Sequence, residues 1–138
     1  MKCARLLKKQ SRTLKDLKSS SLMKRQVLTY NAIEGFHCWP DAPDECKYLA
    51  SRHRHIFVIR CKVGVTHNER QVEIITRQHE IESYLQTRYF NCKGDGANCC
   101  DFGNMSCESI AEDLLNRFYD IDEVEVTEDG YGGATLTR

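Results

Sequence analysis

Between residues 53 and 66 apolar and polar side chains alternate: His53, His55, Phe57, Ile59, Cys61, Val63 and Val65 share one parity, and Arg54, Arg60 and Lys62 lie on the other. Period two marks a strand with one buried face, so a strand is predicted from His53 to Thr66. The run VLTYNAIEGF at 27–36 is rich in β-formers and predicts a strand that ends near His37. Between the two, Trp39-Pro40-Asp41-Ala42-Pro43-Asp44 holds both prolines of the chain and reads as a loop. After a turn at Thr66-His67-Asn68-Glu69, a short strand through Ile75 and then a helix from Thr76 to Arg88 are expected, with Ile81 and Leu85 at helical spacing. Residues 91–105 are rich in Gly, Asn and Asp and predict a loop. A second helix is expected over 107–118, where Ile110, Leu114 and Phe118 recur every fourth residue; Ser109 with Glu112, or Ser106, supplies its cap. A strand at 122–128, a turn at Gly130–Gly133 and a strand to Thr137 close the chain. The order β-β-α-α-β-β implies an α+β fold, a four-stranded antiparallel sheet with two helices on one face.

Charge divides the chain in two. The 138 residues carry 20 basic and 20 acidic side chains, yet residues 1–25 hold nine basic groups and one acid, Asp16, leaving a body with a net charge of −8. The expected organisation is a basic, disordered tail over 1–25 and one domain over 26–138. The tail lacks the aromatic side chains that stack on bases, and the acidic body repels phosphates, so nucleic acid is not the expected partner. No apolar segment of signal-peptide or membrane-spanning length interrupts the sequence. A soluble, cytoplasmic protein is expected, with its eight cysteines reduced, packed or metal-bound.

The candidate chemistry sits at strand ends. His53 and His55, two apart on a strand, send both imidazoles to one face, and His37 reaches the same rim by hairpin pairing. Three histidines with one open position form the donor set of a catalytic zinc site. An isolated His-x-His is more often a packing or surface pair, so spacing alone does not decide. Glu128 follows Val124 and Val126 on one face and is placed to accept N–H groups of a ligand, or to be a solvated member of the acidic run around it. Cys92, Cys99, Cys100 and Cys107 form C-x6-CC-x6-C, a minority candidate for structural zinc and otherwise free thiols in a loop.

Taken together, IEGFHCW at 33–39, RHRHIFVIRCKV at 52–63, RQVEIITRQHEIESYL at 70–85, MSCESIAEDLLNRF at 105–118 and VEVTEDG at 124–130 resemble the 6-pyruvoyl-tetrahydropterin and 6-carboxy-tetrahydropterin synthases, of the tunnelling-fold group. The resemblance covers residues 26–138. It implies that His37, His53 and His55 bind Zn2+ and that Glu128 anchors a pterin-like or purine-like ring. Glu73 stands where the family has a catalytic aspartate, and Glu108 takes the glutamate position of a ring-contacting helix start. It implies also a homo-oligomer in which sheets close into a barrel with sites between subunits, an arrangement that would cover exposed sheet edges. The chain departs from the family at two places. Leu49 occupies the position of the catalytic cysteine, which leaves Cys46 as the expected base and Cys38 as a second candidate. No Asp-His pair occurs in the segment between the helices.

Two functions from different classes follow: a zinc-dependent lyase acting on the side chain of a dihydroneopterin-triphosphate-like substrate, or a metal-containing protein that binds a pterin, purine or nucleotide without turnover.

Overall fold

The computed structural model describes residues 23–91 and 98–138. Strands β1 (Arg25–His37) and β2 (His53–Val65) form a long antiparallel hairpin, joined through a 3-10 helix over Asp44–Ala50. Helix α1 (Ile74–Arg88), the two-residue strand β3 (Cys100–Asp101), helix α2 (Cys107–Arg117) and strands β4 (Ile121–Glu128) and β5 (Gly132–Thr137) follow. The fold is α+β, as expected, but the sheet has five strands in the order β3-β1-β2-β4-β5 and is mixed. The expected four-stranded antiparallel sheet is corrected by β3, which pairs parallel to β1 at Gly35 and Phe36. A glycine is required there, because a Cβ on Gly35 would stand 2.6 Å from the Phe102 ring.

The alternation along β2 has its predicted consequence. Phe57, Ile59, Cys61 and Val63 are buried and meet Ile81 and Leu85 of α1 and Ile110, Ala111 and Leu114 of α2 in one core. Each of the large side chains contributes about 1.5–3 kcal/mol by leaving water, which holds both helices on the same face of the sheet. The expected short strand before α1 is absent. Glu73 accepts hydrogen bonds from Ile75 N and Thr76 N at 3.1 and 2.6 Å, and this cap starts the helix at Ile74, two residues earlier than expected. Ser106 caps α2 by accepting from Ser109 N, whereas the Ser109–Glu112 alternative is not used. Strand β1 begins at Arg25, opposite Val65, inside the segment assigned to the basic tail. The rest of that tail, residues 1–22, and Cys92 lie outside the described residues.

Along the edge of β1 beyond β3, α1 supplies partners: Gln78 Nε2 donates to Tyr30 O, and Asn31 Nδ2 donates to Gln78 O. The turn from β4 to β5 has positive φ at both Asp129 (55°) and Gly130 (75°), with Tyr131 N donating to Glu128 O. Such a tight reversal brings Asp129 back over the start of β2, where Asp129 N donates to Ile56 O.

Candidate metal centre

The hairpin register sets His37 directly opposite His53, and Gly35 opposite His55. All three imidazoles therefore stand together at one end of the sheet, His37 and His55 edge-on to the ring of Phe57 and His53 edge-on to both His37 and His55. One ring nitrogen of each lies within 4.8 Å of the other two, the one such group among the described residues able to hold a metal ion.

The hydrogen bonds of the rings decide which nitrogens face the centre. His37 Nδ1 donates to Met105 O at 2.9 Å, His53 Nδ1 to Ser51 O at 2.7 Å, and His55 Nδ1 to the Asp129 carboxylate at 2.6 Å. A carbonyl or an ionised carboxylate can only accept, so each Nδ1 carries a proton, and in the neutral ring each Nε2 is left as a lone pair. Histidine ligands of metals are supported in this way. Burial is the main influence on His37 and lowers its pKa below the ordinary 6.5, which favours the neutral, ligating form. His37 Nε2 and His55 Nε2 are buried without any hydrogen-bond partner. Two orphaned lone pairs on correctly oriented imidazoles are costly without a cation, so the residues present fit a divalent ion.

Glu128 reaches the same point from the end of β4. Its Oε1 lies 3.3 Å from His37 Nε2 and its Oε2 3.4 Å from His55 Nε2. These distances are short enough for charge attraction to a protonated ring but lack hydrogen-bond alignment, which is why both nitrogens remain unpartnered. Cys107, in the first turn of α2, donates its thiol to Glu128 Oε1 at 3.7 Å. Burial first, and the Glu128 charge second, push that thiol up to about 12, so it stays protonated.

Beside the histidines opens a cavity of about 410 Å³, walled by Trp39, Leu49, Met105, Cys107, Glu108 and Glu128, with His37 and His53 at its floor. This is the size of a site for a small organic molecule. Trp39 is half exposed at its mouth and offers a ring face for stacking.

The expected site residues are thus brought together in part. His37, His53 and His55 converge, with Glu128 between two of them; Glu108 is exposed on the cavity wall. Leu49 lines the cavity and Cys46, in the 3-10 helix, is not among its lining residues; Cys38 is. Glu73 lies at the opposite end of the sheet, in a separate cavity with Arg25 and Val65, where it caps α1. Among the four loop cysteines, Cys99 and Cys100 are buried, with the Cys100 thiol donating to Leu85 O, while Cys107 turns toward Glu128. These three do not form a ligand cluster among the described residues.

Sequence reasoning missed Asp129, the Met105 carbonyl and the Cys107 thiol as parts of the site. The Asp-Gly turn immediately after Glu128 was a readable signal for the first; backbone carbonyls have none.

No protein-family model matches the chain, and no curated protein matches it. No helix among the described residues is long and apolar enough to cross a membrane.

Proposed function

We propose that the chain is a zinc protein acting on the side chain of a reduced pterin, similar to the 6-pyruvoyl-tetrahydropterin and 6-carboxy-tetrahydropterin synthases and sharing their tunnelling fold. The observation that carries this reading is the triple Nδ1–H donation, which in the neutral rings turns three Nε2 lone pairs toward one another beside an open cavity. His37, His53 and His55 hold the ion. Zinc bound there supplies Lewis acidity, polarising and acidifying hydroxyl oxygens of a ligand. Glu128 offers carboxylate oxygens to ring N–H donors, Trp39 covers a ring face, and Leu49 and Met105 keep the cavity wall apolar. The exposed outer edge of β5 and the thin cover of β1 by β3 support closure of the sheet through further copies of the chain.

A second reading, binding of a pterin or purine without turnover, is favoured by one observation. Cys46 does not line the cavity, and no Asp-His pair is present to relay protons. Proton transfer in the first reading falls to Cys46 of the 3-10 helix, the expected base, or to Cys38, which lines the cavity.

Metal analysis of the purified full chain tests the shared premise. One equivalent of zinc is expected in the wild type and none in His53→Ala/His55→Ala; a metal-free wild type, after refolding with zinc, overturns both readings. Incubation with dihydroneopterin triphosphate separates them: product that disappears in Cys46→Ala establishes the enzyme, and unchanged ligand recovered from the protein establishes the binder.

A further inference from the structure

At the end of the sheet away from the histidines, where β1 begins, β2 ends and α1 starts, a second cavity of about 510 Å³ opens. Lys24, Arg25 and Arg70 bring three cations to its wall, against one carboxylate, Glu73. The body as a whole carries an excess of acids, so this end is set apart by sign. Hydrogen bonds along the wall then sort its other polar atoms by type. Asn68 Oδ1 accepts from Arg25 Nε at 2.7 Å, and Gln71 Oε1 accepts from Thr66 N and Thr66 Oγ1 at 2.8 and 3.0 Å. His67 Nδ1 accepts from Glu69 N at 3.1 Å. Each of these side chains commits its acceptor inside the protein and keeps a donor: Asn68 Nδ2, Gln71 Nε2 and His67 Nε2–H. Both Glu73 oxygens are likewise occupied, by Ile75 N and Thr76 N. What these side chains leave for a ligand is N–H donors and positive charge, a set that an acceptor-only anion satisfies.

Arg70 adds a backbone argument. Its φ of 51° lies in the left-handed region, where Asn or Gly is easier, and outliers of this kind cluster at ligand clamps. Val27, Val65, Val72 and Ile74 give the wall an apolar part. A cavity of this size and mixed lining takes a small organic molecule rather than a bare inorganic ion.

We propose that this second cavity binds a small organic phosphate, its phosphoryl oxygens on Lys24, Arg25, Arg70 and the amide donors of Asn68 and Gln71, and its organic body against the valines. The inference is independent of the metal reading, because the two cavities share no lining residue.

Phenyl phosphate is the probe, titrated into the 15N-labelled full chain and followed by 1H–15N correlation spectra and calorimetry. Saturable shifts are expected at the side-chain amides of Asn68 and Gln71 and the backbone amide of Arg70, with inorganic phosphate binding more weakly and phenol not at all. Arg70→Asn, which suits the positive φ, is expected to lower the affinity for phenyl phosphate about tenfold, the contribution of one charge-assisted hydrogen bond. Lys8→Ala/Lys9→Ala, in the basic segment before β1, is expected to leave it unchanged. Affinity that is equal in wild type and Arg70→Asn, or that is lost in Lys8→Ala/Lys9→Ala, overturns the proposal. So does cosedimentation with phosphatidylserine vesicles in the absence of any phenyl phosphate binding, which would assign the cations to a lipid surface. Should Arg70→Asn fail to fold by circular dichroism, Lys24→Gln takes its place, with the same expected loss and the same refuting result.

Discussion

Replacement of Asp129 by Asn tests how the site keeps its histidines in the ligating tautomer. Asp129 accepts two hydrogen bonds, one on each oxygen: Ile56 N at 2.8 Å and His55 Nδ1 at 2.6 Å. Asparagine preserves the size of the side chain and tolerates the positive φ of 55° at this turn, so the backbone is not disturbed. It has only one acceptor oxygen. If that oxygen stays on Ile56 N, the amide NH2 faces His55 Nδ1, and two donors cannot share the contact. The ring answers by moving its proton to Nε2, the nitrogen that faces the metal. Loss of such a supporting carboxylate lowers metal affinity about 10–100-fold. Asp129 is 40% exposed and its ionic interaction with His55 is partly screened, so the lower end of that range, about tenfold, is expected. Isothermal or competition titration with zinc measures it, and the pH dependence supplies a second reading. Asp129, whose pKa is lowered first by Ile56 N and then by His55, stays ionised in the wild type below the ordinary carboxylate range, so loss of zinc on acidification reports protonation of the imidazoles rather than of this support. Equal zinc affinity in the wild type and Asp129→Asn, with one equivalent bound in each, would refute the tautomer argument.

Two further predictions concern stability. Leu114→Ala empties a fully buried position between α2 and the sheet and should cost about 2–5 kcal/mol in urea unfolding; a loss well under 1 kcal/mol would mean that α2 does not close the core. Arg77 grips Asp120 through two hydrogen bonds of 2.8 and 2.6 Å, and this contact lowers the Asp120 pKa. A depressed carboxyl contributes stability above the unfolded value of about 3.9 and loses it as pH falls through the folded value. Asp120→Asn should therefore be less stable than wild type at pH 7, with the gap closing below about pH 4; a gap that is equal at pH 7 and pH 3 would remove the pair as its cause.

The parts of the fold that were legible in the sequence are those where one face is dry and the other wet. In β2 the parity from His53 to Val65 fixes which side chains enter the core, and the same parity carries His53 and His55 to the rim with them. Helix α2 is similarly marked by Ile110 and Leu114. Other parts depend on hydrogen bonds that composition does not disclose. Ile74 and Ile75 read as a strand because they are β-branched, but the Glu73 carboxylate captures Ile75 N and Thr76 N and diverts them into α1. Cys100 and Asp101 sit in a stretch with the composition of a loop, and they become a parallel strand only because Phe102 packs against Phe57 and its N–H reaches Phe36 O. At the site, spacing nominated the three histidines and Glu128 but left each with a bland alternative. Asp129 was concealed in an acidic run, and only the turn geometry singles it out from Glu123 or Glu125. Cys107 was grouped with the loop cysteines, until the Ser106 cap placed it in the first turn of α2, facing inward.

The supports of the three imidazoles reach the site from very different distances along the chain. Ser51 is two residues from His53, whereas Met105 is 68 residues from His37 and Asp129 is 74 from His55. During synthesis the β1–β2 hairpin is complete long before the β4–β5 turn exists, and domains fold while the chain is still being made. At that stage His53 already has its support, while the rings of His37 and His55 still lack theirs. Only when Asp129 closes over Ile56 would the geometry become demanding. The β4–β5 turn is therefore the last piece of the site to be made, and a chain stopped before it would carry all three histidines without the carboxylate that orients His55.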